Sequence, residues 1–143
     1  MHKDPVLKDL IEDFKNMKNE STVLCFSDME PRFIDYRHKE FFTAAFPVLD
    51  RYLNPRKTMQ GGFITAAFDN AFGALAYYSY NHRLMATIDI STSFHYPIYS
   101  DDELIITTRM ISMGNTIASM RGEAVDRNGR IIATASTNML ILK

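Results

Sequence analysis

Residues 61–80 read GGFITAAFDNAFGALAYYSY. From Phe63 to Tyr80 the run is apolar on nearly every side, with small residues at Ala66, Ala67, Ala71, Gly73, Ala74 and Ala76. A helix of that kind has to be surrounded. Its length raises the question of a membrane span. Asp69 and Asn70 lie near its middle, however, and a charge at the centre of a lipid-exposed span is expensive. The run therefore reads as a helix buried inside a soluble protein, and in a chain of 143 residues the natural wrapper is a curved sheet.

The flanking sequence supplies that sheet. Residues 84–96 alternate, with Ala86, Ile88, Ile90, Phe94 and Tyr96 on one face and Thr87, Asp89, Ser91, Ser93 and His95 on the other. Strands are expected over 103–112, 116–126 and 130–142, separated by turn signals at Ser100-Asp101-Asp102, Gly114-Asn115 and Asn128-Gly129. Ala118, Met120, Gly122 and Ala124 mark the packed face of the strand over 116–126. Upstream, the aromatic-rich residues 31–47 predict two strands or one long bent strand. Asp4-Pro5 starts an amphipathic helix over 4–18, with Leu7, Leu10, Ile11, Phe14 and Met17 at helical spacing. The fold class is α+β: one antiparallel sheet folded around one long helix, as a single domain over 1–143.

Composition narrows the function. The chain is 46% hydrophobic and 23% charged, which is globular. Sixteen basic against seventeen acidic residues argue against non-specific nucleic-acid binding and against a basic membrane-surface protein. Cys25 is the single cysteine, so neither an internal disulfide nor a cysteine-built zinc site is available. A reducing, cytoplasmic location is expected, since the start of the chain shows no apolar signal core. His2, His38, His82 and His95 lack metal-ligand spacing.

Two features of the central run bear on chemistry. Asp69 is a carboxylate in an apolar setting, and burying it without compensation is costly. A structural pairing would account for it, as would a catalytic role. Gly61-Gly62 reads as a plain loop-to-helix turn. It also reads as a place where a ligand approaches the free N–H groups of the first helical turn, which favour negative charge. Asp69 follows Gly61 by eight residues, about 12 Å along a helix axis. One chain cannot bring both to one carbonyl. If both act, they come from two subunits related by a two-fold axis.

Asn54, Gln60, Gly61-Gly62 and Asp69 together resemble the motif of the hotdog-fold acyl-CoA thioesterases, in particular the PaaI-like group named for phenylacetate degradation. That group's pattern is Asn, a short loop, His-Gly-Gly, and an acid seven residues after the second glycine. Thr87-Ile88-Asp89-Ile90 through Tyr96-Pro97, and Gly114-Asn115-Thr116, are similar to its later strands, so the likeness spans about residues 40–142. The resemblance implies the hotdog fold and hydrolysis of an acyl-CoA thioester to free acid and coenzyme A. It implies Asp69 as general base or nucleophile and the Gly61 N–H as the group polarising the carbonyl. It further implies that Asn54 orients substrate or water and that Thr87 assists water. Gly62, Phe68 and Phe72 are expected to meet the substrate.

Two residues depart from the pattern. Gln60 replaces the usual histidine and keeps a hydrogen-bond donor that cannot titrate. Lys57 stands where the loop often has glycine. Arg51, Arg56, Lys57, Arg83, Arg109 and Arg121 are candidates for the coenzyme's phosphates. The expected partner is a second copy of the chain, as a homodimer or a dimer of dimers, with no nucleic acid and no membrane. No metal and no cofactor beyond the substrate's own coenzyme A is expected. Gln60 keeps a second reading open, a non-catalytic hotdog protein that binds acyl-CoA or serves as a scaffold. A hydratase ranks last, because its Asp/His loop arrangement is missing.

Overall fold

The computed structural model describes residues 7–12 and 24–143. Residues 7–12 are helical (α1), with Leu7 and Leu10 buried in the core. The rest of the expected 4–18 helix, with its Asp4-Pro5 start, lies outside the described residues. A single turn, α2 (Leu24–Ser27), precedes a hairpin of β1 (Arg32–Arg37) and β2 (Phe41–Pro47). The 31–47 region is thus two strands. The long helix α3 (Gly61–Ser79) follows, then β3 (Met85–Phe94), β4 (Glu103–Met113), β5 (Ile117–Val125) and β6 (Ile131–Ile141). Asn128-Gly129 makes its turn with Gly129 at φ 83°, a conformation open to glycine.

All pairings are antiparallel, in the order β1-β2-β4-β5-β6-β3. One face of this sheet packs on α3. Ala118, Met120 and Ala124 are buried there, as the alternation predicts. Phe68 and Phe72 are fully buried on the same helical face, four residues apart, with ring centroids 6.0 Å apart. They lie over Gly122 of β5. A Cβ at Gly122 would come within 3.0 Å of the Phe68 ring and 3.2 Å of Phe72. Phe68 and Phe72, expected to meet substrate, are thus packed between the helix and the sheet. Helical spacing put them on one face, and that face is turned to the sheet.

The sheet wraps only part of the helix. Gly62, Ala66, Asp69, Gly73 and Tyr77 recur along α3 and remain exposed or half-buried. No helix among the described residues is long and apolar enough to cross a membrane.

β3 departs from simple alternation. A bulge between Thr87 and Asp89 shifts its register against β6. Beyond it, Ile90, Thr92 and Phe94 face the helix side. Before it, Met85 and Thr87 do, while Asp89 reaches Asn138 on the outer face. The expected grouping of Thr87 with Asp89 and Ser91 on one polar face is corrected by that extra residue.

Candidate active site

The start of α3 is fixed from two sides. The Gln60 N–H donates to the Tyr52 carbonyl at 2.8 Å, and the Tyr52 ring packs against Phe63 with centroids 4.5 Å apart. Met59 donates to the Ile98 carbonyl, which ties the entry loop to the segment after β3. Gln60 occupies the N-cap position, but its side chain makes no capping hydrogen bond. Its carbonyl accepts from Phe63 and Ile64. The Gly61 and Gly62 N–H groups therefore form no hydrogen bond among the described residues. They project from the positive end of a helix of 19 residues, where negative charge is favoured.

The loop that delivers them is held by Asn54. Its Oδ1 accepts from the backbone N–H groups of Arg56 and Thr58 at 3.0 and 3.1 Å, and from the Thr58 hydroxyl at 3.2 Å. This oxygen of Asn54, the residue expected to orient substrate or water, fastens the loop. The sequence Asn54-Pro55-Arg56-Lys57-Thr58 carried the signal for it, an asparagine folding back on its own turn. Lys57 takes φ 66°, the left-handed region that glycine enters freely. Arg56 and Lys57 are both exposed beside the helix entrance.

The carboxylate of Asp69 lies two turns further along. The Thr87 hydroxyl donates to Asp69 Oδ1 at 2.9 Å. No ion pair with Asp69 forms among the described residues. Its second oxygen remains available to a water or a substrate atom. The bulge in β3 turns Thr87 inward to make this contact.

Sequence reasoning missed Phe94. A Cβ built on Gly61 would lie 3.0 Å from Phe94 Cζ and 3.3 Å from Cε1 and Cε2, so the ring tip rests against that glycine. Gly62 has open space instead. The contact depends on where β3 crosses the helix, which no local pattern reveals. Of the other candidate arginines, Arg51, Arg83 and Arg109 have partners within the chain. Arg51 lies over Tyr52 and Arg109 over Phe41, and Arg83 donates to the Leu142 carbonyl. Arg109 and Arg121 face each other across β4 and β5. His95 bonds Thr134 on the outer face. Among the described residues no three His, Cys, Asp or Glu side chains converge as metal ligands would.

Residues 57–133 match the family model of the thioesterase superfamily, which covers over half of the chain. The chain belongs to that superfamily. The match takes in Gly61, Asp69, Thr87 and Phe94. This thioesterase also shares its architecture with solved hotdog structures. The Escherichia coli PaaI protein of the phenylacetic acid degradation operon is similar at TM-score 0.80 and 16% identity, over 90% of this chain and 91% of that one. A thioesterase of Haemophilus influenzae matches at TM-score 0.80 and 13% identity, over 91% and 90% of the two chains. A hypothetical thioesterase of Streptococcus pneumoniae, solved with coenzyme A, matches at TM-score 0.77 and 19% identity, over 88% and 96%. No curated protein sequence matches closely enough to count as a relative. The fold is therefore the hotdog fold, and the protein is a thioester hydrolase by family.

Proposed function

We propose that this thioesterase hydrolyses acyl-CoA at a site shared by two copies of the chain. The observation that carries the reading is the Asp69 carboxylate, oriented by Thr87 on one oxygen and open on the other. Asp69 removes a proton from water as its oxygen attacks the thioester carbonyl. The charge that develops on the carbonyl oxygen is received by the Gly61 N–H and the helix dipole. Collapse of the tetrahedral intermediate breaks the carbon–sulfur bond, and the proton held on Asp69 passes to the departing thiolate, releasing coenzyme A and the free acid. Gln60 adds an amide donor at the same helix end. Direct attack by Asp69, through an anhydride, uses the same parts.

The coenzyme A in the Streptococcus pneumoniae thioesterase supports this substrate class. Arg56 and Lys57 on the entry loop supply charge for its phosphates.

Two copies are required because α3 separates Asp69 from Gly61 by about 12 Å. β3 supports the pairing. It is a free edge of ten residues, with Ile88 and Phe94 more than half exposed. Edges of that length are normally covered. Asp69 contacts Thr87, and Gly61 contacts Phe94. The midpoints of those two pairs are Thr65 on the helix and Ile90–Ser91 on the strand. A two-fold axis there joins β3 to its partner antiparallel and exchanges the helix ends. The half-exposed small residues of α3 allow the two helices to approach.

Thiol release from short, medium, long and aromatic acyl-CoAs tests the proposal, with wild type beside Asp69→Asn. Hydrolysis reduced about 10²–10⁴-fold in the variant supports it. Acyl-CoA bound but never hydrolysed by the wild type would replace it with the binding-protein reading, with Gln60 as its cause.

A further inference from the structure

We infer that Phe94 is the acyl-side wall of the carbonyl site and limits the bulk a substrate can carry on the carbon next to the thioester carbonyl. The inference rests on the proposed hydrolysis at Gly61 and goes beyond it in assigning selectivity to one side chain. The ring tip of Phe94 lies against Gly61, at the distances a Cβ there would meet. The ring thus bounds the space on one side of the residue whose N–H receives the carbonyl oxygen. The space around Gly62 is open, so the site is walled on the Phe94 side alone of the two glycines.

Phe94 is 53% exposed and is not one of the residues packed on the central core. Its ring does little for the core of its own chain, and its tip is placed against Gly61. The neighbouring Thr92 hydroxyl accepts from Thr65 at 2.9 Å, which holds this part of β3 against α3 and limits how far the ring can retreat. The ring offers no polar atom to the amides of the pantetheine arm. It suits the hydrocarbon of the acyl group, while Arg56 and Lys57 mark the side for the coenzyme's phosphates.

A fixed ring at that point admits a straight chain and crowds a branch. Excluding bulk of one or two carbons is typically a discrimination of about 10–200-fold. The test compares kcat/KM for isobutyryl-CoA and butyryl-CoA in wild type, Phe94→Ala, Phe94→Leu and Phe94→Trp. The account expects the isobutyryl-to-butyryl ratio to rise about tenfold or more in Phe94→Ala, to rise less in Phe94→Leu, and to fall in Phe94→Trp. A purely structural role would lower both substrates together and leave the ratio unchanged. Phe94→Leu keeps the test valid if Phe94→Ala folds poorly. Hydrolysis by the wild type with the same ratio in all folded variants overturns this inference and leaves the proposed hydrolysis standing. Absence of hydrolysis by the wild type on any acyl-CoA overturns both.

Discussion

The Thr87 hydroxyl donates to Asp69 Oδ1 at 2.9 Å, across the gap between β3 and α3. Two consecutive elements, α3 and β3, thereby fix the orientation of one carboxylate. The bulge in β3 makes the contact, since regular alternation with Ile90, Thr92 and Phe94 would turn Thr87 to the outer face.

Removing that donor should slow the reaction without unfolding the protein. Thr87→Val keeps the shape and loses the hydroxyl. A hydrogen bond to a charged group is worth about 1.5–3 kcal/mol, so kcat should fall about 10–100-fold. Thr87→Ser should restore most of the rate. Steady-state kinetics with a fixed acyl-CoA check this, and a Val variant as fast as wild type would remove Thr87 from the site.

The two glycines at the start of α3 should behave differently in thermal unfolding. Gly62→Ala meets nothing within 4 Å and gains helix propensity, so it should be neutral or stabilising by up to about 1 kcal/mol. Gly61→Ala forces the Phe94 ring to move and should lower Tm relative to Gly62→Ala.

Asn54→Ala should weaken the loop before it weakens the chemistry. It leaves the Arg56 and Thr58 N–H groups and the Thr58 hydroxyl without their common acceptor. A loss of about 1–3 kcal/mol is expected in urea unfolding. Turnover should fall with it, because the same loop sets the Gly61 N–H.

Acid stability should depend on Glu103. Burial pushes its carboxyl up, but the hydrogen bonds and charges of Arg32 and Arg127 outweigh burial and hold its pKa below the ordinary value. A carboxylate held low in the folded state adds stability above its unfolded pKa. That contribution is lost as pH falls through the folded value. Wild type should therefore lose stability below about pH 4.5 more steeply than Glu103→Gln, as followed by circular dichroism across an acid titration.

Much of the architecture was legible in the sequence. The apolar run with small residues announced α3, and Gly114-Asn115 and Asn128-Gly129 located the later hairpins. Gly61-Gly62 and Asp69 stand at the helix end and along the helix as their spacing required. What could not be read depends on contacts between elements. A bulge adds one residue without a compositional mark, so the inward turn of Thr87 was hidden. Helical spacing placed Phe68 and Phe72 on one face but did not tell whether that face met the sheet or a substrate. The rest of Phe94 on Gly61 is set by the crossing of β3 over α3.

The central claim is that Asp69 of one copy and Gly61 of the other form one site. Subunit complementation tests it most directly. Asp69→Asn and Gly61→Val are each expected to be inactive as homodimers. Mixed after reversible dissociation, they should form heterodimers in which one site has both an intact Gly61 and the partner's intact Asp69. Thiol release that returns on mixing, in proportion to the heterodimer seen by native mass spectrometry, is the predicted result. Heterodimers that form and stay as inactive as their parents would contradict the shared site.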